Sequence, residues 1–240
     1  MQEAQGKYIY FLDSDDTLTD GTLDFYRKTL ADNSENKFLA FGYKSQYKGR
    51  LLKDYAEKQF EGKTLNAPLL KQSFFSKKLC FHICSCIYEK AFLLEHTIAF
   101  TPGVKFAEDV EFLLKVLHFT DSCFYSARKC FVYQIRDDST MQGYKYSEDM
   151  FKAFLHIKEC VERYKEKSTE KMANYFICYN YISNLIYYLR SNVKNNAINT
   201  LFLENKKLLY RKTAFVSLPV SFVLLFLRVV PLRLLFLFWK

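Results

Sequence analysis

Gly6-Lys7-Tyr8-Ile9-Tyr10-Phe11-Leu12-Asp13-Ser14-Asp15-Asp16 is the stretch on which the reading of the chain turns. An apolar run rich in β-formers ends in three carboxylates packed close together. A run of this length without polar alternation predicts a strand buried on both faces, as in a parallel sheet. Ligands of such sheets bind beyond the carboxyl ends of the strands, where Asp13, Asp15 and Asp16 fall. Like charges this close repel unless something positive lies among them. A hard divalent cation with oxygen ligands, Mg²⁺ or Mn²⁺, meets that need and brings a phosphate-bearing substrate with it. The same acids also suit an ordinary acidic turn in which Asp16 or Thr17 caps a following helix.

Around this stretch the composition is that of a globular chain. Its 240 residues are 50% hydrophobic and 18% aromatic, enough for one core and a helical appendage. The net charge of +9 is uneven. From Leu201 to Lys240, Lys206, Lys207, Arg211, Lys212, Arg228, Arg233 and Lys240 face Glu204 alone. That placement points to a membrane surface and not to nucleic acid. The 7 cysteines are scattered without a repeated metal spacing, the closest pair being Cys84-Ser85-Cys86. They read as reduced thiols of a cytoplasmic protein, buried as small hydrophobes. The polar, acidic first residues do not read as a signal peptide.

Met1 to Gln5 read as the end of a helix closed by Gly6. Leu18 to Ala31 predicts a helix with Leu23, Tyr26 and Leu30 on one face, and Phe38 to Tyr43 a second strand. Tyr47 to Lys71 is charged and without period, so loop and short helix are expected there. Leu79 to Tyr88 is apolar and Cys-rich, with His82 read as a packed core histidine, and Glu89 to Leu94 as helix. After the turn at Thr101-Pro102-Gly103, Val110, Leu113, Leu114 and Leu117 mark a helix at i, i+3, i+4, i+7 spacing. Cys123 to Tyr125 and Cys130 to Ile135 read as two further strands. Two helices follow, one striped with Met150, Phe154, Ile157 and Val161, the other with Tyr175, Tyr179, Ile182, Ile186 and Leu189. Ala214 to Trp239 is almost wholly apolar, yet its longest charge-free run, Ala214 to Leu227, is short of the ~20 residues a spanning helix needs. An interfacial segment fits, with Arg228 and Arg233 reaching the headgroups and the basic residues before it binding anionic lipid.

Three of these pieces together resemble the bacterial family 2 glycosyltransferases, inverting enzymes of the GT-A fold. The quoted stretch resembles the surroundings of that family's Asp-x-Asp metal motif. Phe106-Ala107-Glu108-Asp109-Val110-Glu111-Phe112 resembles its Glu-Asp segment, and Tyr133-Gln134-Ile135-Arg136-Asp137-Asp138-Ser139-Thr140-Met141 its Tyr-x-x-Arg-x-x-Ser-x-Met closing stretch. The resemblance implies an α/β fold: the C-terminal part of a GT-A-like (Rossmann-like) mixed sheet with flanking helices over residues 1–141. A helical extension over 142–200 and a basic, membrane-associating tail over 201–240 follow. It implies sugar transfer from a nucleotide-sugar donor to a saccharide or lipid-linked acceptor in cell-surface polysaccharide synthesis, with Mn²⁺ or Mg²⁺. Asp13 and Asp15 would hold the metal, and Asp13, Asp15, Asp16 and Arg136 the nucleotide sugar. Asp109 would be the base that deprotonates the acceptor hydroxyl, and Glu108 its orienting neighbour. First-turn acids are also what a helix N-terminus favours on its own account. The membrane contact, through residues 206–239, would lie on the cytoplasmic face of the bacterial inner membrane.

The family's first βαβ half, which carries the nucleotide-binding strand, has no counterpart before Met1. The expectation is therefore a truncated catalytic part with weak donor binding by itself. Two other classes compete. Asp13-Ser14-Asp15-Asp16-Thr17 also fits the Asp-x-Asp-x-Thr loop of haloacid-dehalogenase-type phosphatases, with Asp13 as nucleophile, Asp15 as acid/base, Thr17 on the phosphate and Mg²⁺. That template leaves the Glu108-Asp109 segment and the closing stretch unexplained, and its later lysine and Gly-Asp loop do not appear. The third reading is a non-catalytic, membrane-bound remnant that pairs with another glycosyltransferase.

Overall fold

The computed structural model describes residues 1, 3–136, 145–191 and 193–238. Ser139 and Met141 of the closing stretch, and Trp239 and Lys240 of the tail, lie outside the described residues. The chain divides into two compact units, Met1–Phe100 with Phe112–Gly143, and Thr101–Glu111 with Tyr144–Lys240.

The first unit is built on a 7-stranded mixed sheet. Its centre is β3 (Phe38–Tyr47), not the quoted stretch. Phe38, Leu39, Ala40 and Phe41 are almost fully excluded from water, so the strand buried on both faces is this one. On one side β3 pairs antiparallel with β6 (Cys86–Glu89). On the other it runs parallel to β7 (Ser122–Ile135), with Leu39 opposite Phe124 and Tyr47 opposite Ile135. β4 (Arg50–Tyr55) folds back on β3, and β5 (Lys63–Asn66) lies antiparallel to β7.

β1 (Tyr8–Tyr10) is three residues long, sits at one end of the sheet and pairs antiparallel with β6. This corrects the expectation of a parallel strand. Only Ile9 is buried there, while the tyrosines on either side are half-buried, a pattern suited to an edge. β2 (Thr17–Leu18) closes the other end against Val132 and Phe131 of β7.

What read as two strands is one. β7 is continuous across Ala127-Arg128-Lys129, where the register against β3 jumps from Phe41↔Ser126 to Gly42↔Lys129. The extra residues form a bulge. Its polar groups are met by Glu61, which accepts from the Ser126 hydroxyl at 3.1 Å and from the Ala127 N–H. Gly42 faces this bulge so closely that a Cβ there would lie 2.6 Å from the Ala127 carbonyl oxygen. Helix α1 (Thr22–Asp32) lays Tyr26 on Leu39, Phe41, Ile87 and Cys130, whereas Leu23, expected on that face, is exposed. α2 (Ala67–Phe75) starts on the Asn66 cap, and α3 (Lys90–Glu95) follows β6 directly. No helix is described over Met1 to Gln5.

Helix α4 (Glu108–Phe119) has its first turn in the second unit and continues in the first, where Phe112, Leu113, Leu114 and Leu117 are buried. The second unit is otherwise helical. α5 (Glu148–Tyr164) buries Met150, Phe154, Ile157 and Val161 as its stripe predicts. In α6 (Glu170–Arg190) Tyr175 and Ile182 of the expected stripe are buried along with Cys178, Tyr181, Leu185 and Tyr188, while Ile186 is outside. α7 (Asn196–Glu204) brings Phe202 against Phe151, Tyr181 and Tyr188, and the Tyr181 hydroxyl donates to the Phe202 carbonyl at 2.7 Å. α8 (Leu218–Val229) and α9 (Leu232–Phe238) complete the same unit. The expected boundary at 141 falls outside the described residues.

Because the Gly42 Cβ would collide with main chain and not with a flexible side chain, Gly42→Ala should destabilise the protein by about 1–3 kcal/mol. Urea unfolding followed by far-ultraviolet circular dichroism measures this. An unchanged midpoint would mean that the bulge yields freely.

Candidate functional site

The three acids of the opening stretch part company in the structure. β1 ends at Tyr10 and a turn over Asp13 to Asp16, closed by the Asp16 N–H donating to the Asp13 carbonyl at 3.1 Å, delivers the chain to β2. Pairing of β2 with β7 carries Asp16 under the sheet end, where its Oδ1 accepts from the Gln134 N–H at 2.8 Å. Asp16 is 7% exposed, and its Oδ2 is buried with no hydrogen-bond partner among the described residues. Asp15 turns to Arg136, which donates to its Oδ2 at 3.0 Å. Asp13 is exposed and lies 3.7 Å from the Cys84 thiol.

Cys84 is the residue that sequence reasoning passed over. It sits in a 3₁₀ turn, Ile83–Ser85, whose cap is His82: the Cys84 N–H donates to His82 Nδ1 at 3.2 Å, and the His82 N–H to the Ser85 hydroxyl at 3.1 Å. His82 packs against Tyr43, Phe131 and Tyr133, in keeping with its reading as a packing group. Donor atoms of Asp13, Asp16 and Cys84 all lie within 4.8 Å of one another. The two carboxylates suit a hard cation such as Mg²⁺ or Mn²⁺, and the unanswered Asp16 oxygen is what such an ion would satisfy; the thiol is a softer neighbour. Of the two expected metal ligands, then, Asp13 is in this group, while Asp15 is held in the ion pair with Arg136.

Burial pushes the Asp16 carboxyl up to about 6; the Asp15 and Asp13 charges add to the rise, while the Gln134 N–H and Arg136 oppose it. Burial likewise pushes the Cys84 thiol up to about 12, and the Asp13 carboxylate adds to the rise. Both shifts report negative charge crowded into a poorly hydrated corner.

Glu108 and Asp109 belong to the second unit. They are half-buried at the start of α4, and Asp109 Oδ1 accepts from the Val110 N–H at 2.7 Å. Ala107 just before them holds φ +59°, in the left-handed region that a residue with a Cβ rarely occupies.

The phosphatase template meets this fold badly. It needs its nucleophilic aspartate at the end of a buried strand, and Asp13 follows a three-residue strand at the end of the sheet.

No protein-family model and no curated protein matches the sequence. Solved structures do match the fold. S. aureus TarS, residues 1–349 with UDP-GlcNAc, superposes with a TM-score of 0.65 at 17% identity, covering 95% of this chain and 65% of that one. The same portion of TarS with UDP gives 0.62 at 16%, covering 95% and 64%. TarS at greater length gives 0.55 at 16%, covering 95% and 38%. This chain thus spans less than two thirds of the structures it resembles. The curled mixed sheet with flanking helices is GT-A-like, a Rossmann-like arrangement, and a helical region follows it.

The Asp16 proton is held more tightly by the native state than by the unfolded chain. Stability from this group is therefore present at acid pH and is lost as pH rises through about 6. In metal-free buffer, wild type should lose up to ~3 kcal/mol on this account between about pH 4 and pH 7. Asp16→Asn should flatten that part of the slope in urea titrations. An identical slope in the variant would place the titration elsewhere.

Proposed function

We propose that the chain is the catalytic part of a family 2, inverting glycosyltransferase. It would move a sugar from a nucleoside diphosphate donor to a hydroxyl acceptor in cell-surface polysaccharide synthesis. The observation that carries this is the acidic turn after β1: a cluster of oxygen and sulfur donors with an unanswered buried carboxylate oxygen, beside an Asp15–Arg136 pair. It lies on a fold shared with TarS, a protein crystallised with UDP-GlcNAc.

Asp13 and Asp15 would hold the divalent ion, Mn²⁺ or Mg²⁺, with Asp16 behind them. When bound, the ion supplies electrostatic stabilisation to the departing diphosphate. Arg136, which pairs with Asp15 Oδ2 at 3.0 Å, would offer a positive charge to the diphosphate oxygens. By the family resemblance, Asp109 would take the proton from the acceptor oxygen as that oxygen attacks the anomeric carbon, and Glu108 would orient it.

Calorimetry with UDP and Mn²⁺, together with a transfer assay over a panel of UDP-sugars and acceptors, tests this reading. Asp15→Ala should weaken metal-dependent UDP binding about tenfold or more by removing a charge-assisted contact. Asp109→Asn should leave binding intact and cut transfer by about 10²–10⁴-fold. Mn²⁺ binding without any donor binding or transfer would favour the non-catalytic remnant. Hydrolysis of an aryl phosphate lost in Asp13→Asn would restore the phosphatase reading.

The second unit would hold the enzyme at the cytoplasmic face of the inner membrane. No helix among the described residues is long and apolar enough to cross a bilayer. α8 instead turns Leu218, Phe222, Leu225 and Val229 outward, at 59–75% exposure, while Leu224 and Leu227 face in. Arg228 does not reach toward headgroups as expected: its Nε donates to the Leu209 carbonyl at 2.6 Å and its Nη2 to the Arg211 carbonyl at 3.1 Å. The lipid contact would thus be apolar, flanked by the basic residues from Lys206 to Lys212. Sedimentation with phosphatidylglycerol vesicles should carry down wild type but not Phe222→Ser/Leu225→Ser, and phosphatidylcholine vesicles should retain less. Equal sedimentation of wild type and variant would remove α8 from the contact.

A further inference from the structure

The second unit contains a donor set that the proposed sugar chemistry does not use. Glu111 ends the first turn of α4 and is 3% exposed. His156 and Cys160 stand one helical turn apart on α5. Glu111 Oε1 lies 3.3 Å from His156 Nε2, His156 Nε2 lies 3.9 Å from Cys160 Sγ, and the three donor atoms all fall within 4.8 Å of one another.

The geometry points to a zinc site formed by Glu111, His156 and Cys160. Bonds of about 2.0–2.1 Å to oxygen and nitrogen and about 2.3 Å to sulfur give tetrahedral edges of about 3.4 Å between O and N and about 3.6 Å between N and S. The O–N separation of 3.3 Å matches its edge and the N–S separation of 3.9 Å exceeds its edge by a few tenths of an ångström. One carboxylate, one imidazole and one thiolate form a borderline-soft set that suits Zn²⁺ better than Mg²⁺ or Mn²⁺. The Thr101 hydroxyl donates to Glu111 Oε1 at 2.7 Å, the type of outer contact that fixes a ligating carboxylate. His156 also forms part of the wall of a cavity of about 280 Å³, with Gly103, Lys105, Phe106, Asp149 and Lys152. The fourth position is left to water or to a small ligand entering from that cavity. Glu111 follows Glu108 and Asp109 in the same turn, so the ion would tie the turn that carries them to α5. A His156–Glu111 ion pair without metal is the competing account.

Cobalt substitution separates the two, and does so independently of sugar transfer. The full chain, stripped with a chelator, is titrated with Co²⁺. Wild type should develop tetrahedral d–d bands and a thiolate-to-cobalt charge-transfer band that added Zn²⁺ abolishes. Cys160→Ser should lose the charge-transfer band, and His156→Gln, at a half-buried position, should bind Co²⁺ at least tenfold more weakly. Cys84→Ser should keep both sets of bands, which distinguishes this site from the acidic turn of the first unit. Circular dichroism confirms that each variant is folded. If Cys160→Ser is not, His156→Gln with Cys84→Ser decides. Absence of the charge-transfer band in wild type, its loss in Cys84→Ser, or unchanged affinity in His156→Gln would overturn the proposal.

Discussion

The first unit depends on one strand pairing, β3 with β7, and on the interruption within it. Two long parallel strands twisting together would carry the far half of β7 steadily along β3. The bulge at Ala127-Arg128-Lys129 breaks that course and re-aims the second half, from Phe131 onward. That half receives β2 and gives its Gln134 N–H to Asp16. A local irregularity thereby sets where the acidic turn lies. Its requirements are strict: no Cβ at Gly42, and a carboxylate at Glu61 to take up the donors the bulge leaves over.

The turn itself works against stability. A carboxylate excluded from water, with one oxygen unanswered and two further acids close by, raises the energy of the charged form. The Asp15–Arg136 pair relieves part of this, but with both groups partly exposed it is worth no more than ~1 kcal/mol. A sequence selected for stability alone would replace Asp16 with a neutral residue. On the metal reading proposed above, a bound cation would relieve this cost.

Much of this was legible in the sequence wherever periodicity and chemistry agreed. Leu113, Leu114 and Leu117 of the α4 set, with Val110 half-buried, and the whole stripe of α5 form inward faces because a strong apolar period leaves a helix one way to pack. On α6 the expected stripe holds in part: Tyr175 and Ile182 are buried, but Ile186 is exposed while Tyr188 is buried against Phe202, a distinction that the Tyr, Phe and Ile spread all round the helix do not make. The polar interruption at Arg128-Lys129 read as the end of a strand because a bulge and a loop leave the same local signature. Cys84 could not be found at all from local pattern. Its nearness to Asp13 spans 71 positions and arises only when β1 and β6 pair.

The second unit shows the opposite economy of charge and oil. Arg228 is folded inward onto two main-chain carbonyls, while neighbours on the same helix hold large apolar side chains in water. Orientation is not forced by lack of cover, since Leu224 and Leu227 on the same helix are buried. Each exposed side chain of this size forgoes about 1.5–3 kcal/mol that burial would return. On the membrane-surface reading proposed above, contact with an apolar phase would recover that free energy, and keeping the guanidinium inward would spare the phase the charge.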